Sequence, residues 1–573
     1  MSDKPQDTNE QAGDEIDQAS PRATRRGFLT GMAALGASVA AGDALAAQDG
    51  KVRGGNAAPH PASPAFTHAL RKHVKHVVVI YAENRSFNNL FGNFPGVEKP
   101  LSALNADDYR QRDRDGKPLP TLPPVWKGLV PHEQTVNHVK YHVKEDAPYM
   151  TGLYNGPFAL RGPQGEYLPQ GVVTRDLWHV FYQNQMQING GRNDKFAAWA
   201  DSGGLTMGYY ADTAYNLRLW NLAQEFVLCD NFFQGAFGGS FLNHQYLVAA
   251  RAPFYPDVHD SPASKLIATL ESDDPADPRL KPDPEKSPAS ALQGPPVFGP
   301  SALTPDGYAV NTMAAPYWPS HAPRDKQNPA LADAASPMVV PPQTHAHIGD
   351  LLDAKGVDWA WYSGGWQDAV DAKPNEPGFP PVPNFQFHHQ PFNYFENLGP
   401  QHAQARARRL RDGGLGDMPA TNKFLADVDA GRLPAVTFYK PQGNLNMHAG
   451  YSDVESGDRH IAHIVDSLRR GSQWQDMVVI VTVDENGGWW DHVAPPKGDR
   501  WGPGTRVPAL VISPHAKKGT VDHTVYDTGS ILRLIARVFD LPTLEGLQQR
   551  DEAMRVRGQK PMGDLTNALA FKA

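Results

Sequence analysis

The chain has 573 residues, with 54 Lys and Arg against 62 Asp and Glu, a net charge of −8, 40% hydrophobic residues and a mean hydropathy of −0.50. That balance excludes a disordered or membrane-filling chain, and mild acidity without a Lys/Arg run argues against a nucleic-acid partner. The one cysteine, Cys229, rules out an intramolecular disulfide and a cysteine-based zinc site, while 52 Gly and 52 Pro predict many ordered loops around a regular core.

In chain order, the first element reads as an address. Arg25-Arg26, a short Gly/Ala-rich apolar stretch and Ala44-Leu45-Ala46 make a twin-arginine export signal over residues 1–46. This implies a translocase as transient partner and a periplasmic or secreted product. The apolar stretch is shorter than the ~20 residues a bilayer span needs. Residues 47–573 read as one domain.

The unbroken β-branched run His76–Ala82 predicts a buried parallel strand, as do Val357–Tyr362, Ala435–Tyr439, Met477–Val483 and Val507–Ser513. Helical periodicity alternates with them: His345–Ala354 with Thr344 as N-cap, Glu455–Arg470, and Asp527–Phe539. His179 is expected within a helix running towards Asn189. Residues 253–342 hold 19 prolines and read as an ordered insertion. The alternation predicts an α/β fold, a three-layer α/β/α sandwich with a mostly parallel central sheet.

Three motifs carry chemistry. Glu83-Asn84-Arg85-Ser86-Phe87 follows the first strand, where ligands of open α/β sheets bind; hard cations take such oxygen donors, although a helix-capping turn explains the motif equally well in isolation. Asp484-Glu485-Asn486-Gly487-Gly488 follows another strand, and adjacent carboxylates there are costly unless a cation compensates them. Gly238-Gly239-Ser240 sets a hydroxyl where a helix could begin, as N-cap or as nucleophile. His179, His388, His389 and His448 are candidates among 22 histidines.

Taken together, ENRSF, GGSFLNH, HAGYSDV, VDENGGWWDHV, GTRVPALVISP and DHTVYD, in this order across 76–539, resemble the bacterial acid phosphatase A/phospholipase C family of the alkaline-phosphatase-like superfamily. GGSFLNHQ and FHHQPFNYF resemble the acid phosphatase branch. Thr528 stands where phospholipase relatives often have histidine, and Asn88 where aspartate often follows ENRSF. The resemblance implies one divalent metal ion held by Glu83, Asn84, Asp484, Glu485 and Ser240 Oγ, with Ser240 as nucleophile. His179, His448 and one of His388 and His389, of which the spacing to Pro391-Phe392 favours His389, would surround the phosphoryl group. Oxygen ligation favours Ca²⁺, Mg²⁺ or Mn²⁺ and also admits iron or zinc. The expected function is an exported acid phosphatase acting on small phosphomonoesters through a phosphoserine. The alternative is a phospholipase C on phosphatidylcholine-type diesters, with transient membrane contact.

Overall fold

The computed structural model describes residues 63–143, 151–274, 277–372 and 385–571; the export signal read at 1–46 lies outside them. Eight strands form the central sheet: β1 (His76–Ala82), β2 (Val227–Cys229), β3 (Trp359–Gly364), β4 (Leu410–Gly414), β5 (Val436–Lys440), β6 (Met477–Val483), β7 (Ala509–Ile512) and β8 (Thr520–Asp522). Their spatial order is β4-β3-β5-β1-β6-β7-β2-β8. Seven run in one direction, and β7 alone is antiparallel to both of its neighbours.

The reversal of β7 corrects the expectation that Val507–Ser513 runs parallel. A parallel neighbour needs a crossover, usually helical, whereas residues 484–508 contain no helix. An apolar run reports burial, not direction.

β1 is buried from Val77 to Ala82 and β6 along its whole length, so each of their Val and Ile side chains contributes roughly 1.5–3 kcal/mol of hydrophobic stabilisation. The helices gather in two packed groups. Pro64–His73, Ser240–Ala249, Ile348–Ala354 and Thr528–Phe539 form one; Arg218–Glu225, Lys423–Asp429 and Val454–Arg470 form the other. With central strands buried on both faces, this is the expected α/β/α arrangement.

Helix starts follow their caps. Asp453 caps Val454–Arg470, and Asp527 caps Thr528–Phe539 by accepting from Ser530 N at 3.2 Å. The helix expected from His345 begins at Ile348. His347, not Thr344, is its cap, because His347 Nδ1 accepts from Asp350 N while the Asp350 carboxylate accepts from His347 N.

The proline-rich stretch contains short turns, the paired strands Leu270–Ser272 and Arg279–Leu280, and isolated bridges such as Phe254 with Tyr308. It docks beside the carboxyl ends of the strands. Asn311 Oδ1 accepts from Phe181 N at 2.9 Å, and the Arg500 guanidinium grips both oxygens of Asp306 at 2.6 and 2.9 Å.

Candidate active site

The pairing register places the acidic motifs together. β1 and β6 pair from His76 opposite Met477 to Ala82 opposite Val483, so the next residues, Glu83 and Asp484, leave the sheet side by side. Asp484 N donates to Ala82 O at 3.1 Å, continuing the ladder by one step. On the other flank β1 pairs with β5, Ile80 opposite Tyr439, which brings Lys440 to the same end of the sheet.

Asn84 has a φ of +59°, a left-handed conformation that asparagine tolerates. Its N–H donates to Asp484 Oδ1 at 3.1 Å, and Arg85 N donates to Glu485 O at 3.1 Å. Gly487, at φ +60°, lets the second loop pass: a Cβ there would lie 2.4 Å from Asn84 O. Ser86 does cap the short helix Phe87–Phe91, accepting from Asn89 N at 3.2 Å. The capping and site-forming readings of ENRSF thus hold for different residues. Arg85 donates to Met447 O at 3.1 and 2.8 Å, holding the loop that carries His448.

Ser240 comes from the facing loop. Gly238, at φ +83°, lies where a Cβ would meet Phe181 N at 2.4 Å, so only glycine lets this loop close on the segment 179–181. Gly239 is the N-cap of Ser240–Ala249, which leaves the Ser240 hydroxyl free of the capping role. Its Oγ instead donates to Glu485 Oε1 at 3.5 Å. One turn on, His244 Nδ1 donates to Ser240 O at 2.8 Å and lies 3.7 Å from Asp484 Oδ2. Glu83, His244 and Asp484 present ligand atoms all within 4.8 Å of one another.

His179 precedes the helix Phe181–Ile188 rather than lying inside it, because Val180 is its extended N-cap. His179 Nδ1 donates to Leu177 O at 2.5 Å and Nε2 lies 3.7 Å from Glu485 Oε1. His448 Nδ1 donates to Ala449 O, and Nε2 lies 3.8 Å from Glu83 Oε2. A carbonyl only accepts, so both rings carry hydrogen on Nδ1 and turn Nε2 towards the carboxylates. His389 Nε2 touches Glu83 Oε1 at 2.5 Å, whereas the His388 ring packs against His389 and His244 at 4.9 and 5.5 Å between centroids. All the residues expected in the site therefore gather at one end of the sheet.

Electrostatics favour a cation here. Asp484 is pushed up to about 7, first by burial and then by the charge of Glu83. Glu485 is pushed well above its ordinary range by burial, with Asp484 adding and His179 opposing. Glu83 is held low: burial works against this, but Lys440 and His389 outweigh it. Both side-chain polar atoms of Asn84, together with Asp484 Oδ2 and His244 Nε2, are buried with no hydrogen-bond partner. Orphaned oxygens beside crowded carboxylates fit a hard divalent ion.

A pH dependence follows. From about pH 4, where unfolded aspartates ionise, to about 7, where Asp484 does so in the folded chain, the metal-free protein loses stability from this group; above that the effect levels off. Glu83 acts in the opposite sense, only as pH falls below its ordinary 4.5. A divalent cation should therefore raise Tm more at pH 8 than at pH 5. Thermal melts with Mg²⁺ or Mn²⁺ against EDTA test this, and equal gains at both values would detach cation binding from these carboxylates.

Sequence reasoning missed three residues. Lys440 directly follows the run Ala435–Tyr439, the same strand-end signal that singled out Glu83 and Asp484. His244 lies four residues after Ser240, hence on the same helix face. Tyr451, whose hydroxyl donates to Glu83 Oε2 at 3.0 Å, sits within HAGYSDV. Asp491 and His492 instead pin the two loops. Asp491 accepts from Asn88 N and Arg506 Nε, both at 3.0 Å, and Asn88 Oδ1 accepts from His492 Nδ1 at 3.0 Å and Arg506 Nη2 at 3.2 Å.

Residues 74–542 match the profile of the Phosphoesterase family. Among similar proteins, phospholipase C B of Mycobacterium tuberculosis is 24% identical over 538 residues, covering 87% of this chain and 78% of its own. Phospholipase C A of the same organism is 23% identical over 579 residues, covering 96% and 85%. Among solved structures, a protein in the alkaline phosphatase superfamily from Vibrio parahaemolyticus superimposes with a TM-score of 0.28 at 11% identity, covering 61% of this chain and 65% of that one. With its acidic strand ends and serine-bearing helix at one end of the sheet, the chain belongs to the Phosphoesterase family and is a phosphoric ester hydrolase.

Proposed function

We propose that the protein is an exported, cation-dependent acid phosphatase that hydrolyses small phosphomonoesters through a phosphoserine at Ser240. The observation that carries this reading is the Ser240 hydroxyl at the start of a helix, 3.5 Å from Glu485 Oε1 and one turn from His244, beside the Glu83–Asp484 pair. Glu83, Asn84, Asp484, Glu485 and Ser240 Oγ would hold one divalent ion, which when bound supplies the positive charge that favours an alkoxide at the serine. Ser240 Oγ attacks phosphorus in line, and the ester oxygen departs on the far side. Backbone N–H groups at the helix start and the His179 ring face the phosphoryl oxygens next to the nucleophile. The Ser240 proton passes to its hydrogen-bond acceptor, Glu485 Oε1. His389, on the Glu83 flank, is assigned the proton given to the leaving alcohol. Burial holds this imidazole down to about 4, so it serves as the acid when protonated under acidic conditions. Water then releases phosphate from the serine.

Support for a monoester substrate comes from the GGSFLNHQ and FHHQPFNYF stretches, which resemble the acid phosphatase branch, and from Thr528 and Asn88, which stand where phospholipase relatives often have histidine and aspartate. A second reading, phospholipase C, is favoured by the two mycobacterial relatives matched over most of this chain. Side-by-side assays on p-nitrophenyl phosphate and on phosphatidylcholine vesicles separate them. The monoester should be turned over faster under acidic conditions; diester cleavage without monoester cleavage would reverse the assignment. Export rests on Arg25-Arg26 and places the product in the periplasm or outside the cell.

A further inference from the structure

Lys440 is a fully buried ammonium whose role no motif announces. It ends β5 and lies 2.6 Å from Glu83 Oε1; it also donates to Ala82 O at 3.4 Å and stands 5.6 Å above the Tyr81 ring. Burying a lysine is costly, and a buried ion pair is weak evidence for stability alone. Its position suggests a different use.

Glu83 belongs to two clusters of buried donors. One, with His244 and Asp484, faces Ser240; the other is made with His388 and His389. In each, the ligand atoms lie within 4.8 Å of one another. His388 Nδ1 is buried without a hydrogen-bond partner, so the second cluster has a spare imidazole lone pair. By composition, the two clusters sharing one carboxylate would suit the paired ions, roughly 3.5–4 Å apart, of two-metal hydrolases. The Lys440 ammonium, however, sits on Glu83 Oε1, the oxygen that His389 Nε2 of the second cluster also touches, where a second cation would meet a like charge at contact distance. A lysine suits this place because its charge is compact, whereas a guanidinium spreads over a planar fork.

We propose that Lys440 is a built-in cation that takes the place of a second metal ion. It holds Glu83 through Oε1, confines the centre to a single divalent ion on the Ser240 side, and leaves His388 and His389 free of a second metal ion. The proposal rests on the cation-dependent reading above and concerns how many ions the centre takes.

The test counts metal. The full chain is stripped with EDTA, loaded with Mn²⁺, desalted and assayed by elemental analysis and native mass spectrometry, with electron paramagnetic resonance to detect a coupled Mn²⁺ pair. Wild type should carry one ion with an uncoupled spectrum, and Lys440→Met should carry two with a coupled signal. The second ion should be lost again when His388→Gln and His389→Gln are added. Two ions in the wild type, or one in a folded Lys440→Met chain, would overturn the proposal. No ion in the wild type would overturn the cation-dependent reading itself, and this proposal with it. Lys440→Gln, which keeps a polar head near Glu83, serves if the methionine variant does not fold. If neither folds, the histidine double variant in the wild-type background decides. One ion, unchanged, supports Lys440 as the occupant; a count of zero shows that the histidines already ligate and sinks the idea.

Discussion

Ser240→Ala is expected to yield a folded protein that still binds its cation and has lost turnover by on the order of 10⁴-fold or more. Folding survives because Gly239 caps the helix and the Ser240 side chain makes no capping bond. The cation remains because Glu83, Asn84, Asp484 and Glu485 are untouched. Activity goes because the attacking hydroxyl is removed and the phenols beside the site are engaged elsewhere: Tyr451 donates to Glu83 Oε2 at 3.0 Å and Tyr81 to Asn243 O at 3.3 Å. Steady-state hydrolysis of a chromogenic phosphomonoester measures the loss, and acid quenching with labelled substrate should trap a phosphoenzyme in wild type alone. Near wild-type turnover in the variant would remove Ser240 as nucleophile.

The second large effect has opposite signs on function and stability. In Asp484→Asn the amide oxygen can keep the bonds from Asn84 N at 3.1 Å and Glu485 N at 2.8 Å, while the orphaned anionic Oδ2 is replaced by an NH₂ group. Divalent-ion affinity should fall by more than about 100-fold, beyond what loss of a supporting hydrogen bond to a metal ligand costs. Activity should fall with it. The metal-free variant should nevertheless be more stable than metal-free wild type above pH 7, by on the order of 1–3 kcal/mol, because a crowded buried anion is gone. Isothermal titration and urea melts under EDTA check the two halves. Unchanged affinity would show that Asp484 is no ligand.

Legibility from sequence depended on length of signal. β1 and β6, seven residues of almost unbroken apolar β-branched character, are read with their ends correct, and the helices Val454–Arg470 and Thr528–Phe539 are placed within one residue. β2 and β8 have three residues each, and β4 reads Leu-Arg-Asp-Gly-Gly; such strands exist because neighbours pair with them, so no local pattern could reveal them. The direction of β7 likewise depends on a connection without a helix. In the site, the acidic motifs and Ser240 were legible because each follows a strand or a glycine pair. Lys440 shares that strand-end position, but a lone lysine there reads as a solvated strand end until the register sets it beside Glu83.

The most direct test of the central claim, that two strand ends 401 residues apart converge with one serine on a cation, is anomalous diffraction from Mn²⁺-soaked crystals. One strong peak among Glu83, Asn84, Asp484, Glu485 and Ser240 Oγ is the expected result. A peak bonded to other residues, or none there at saturating Mn²⁺, would contradict it.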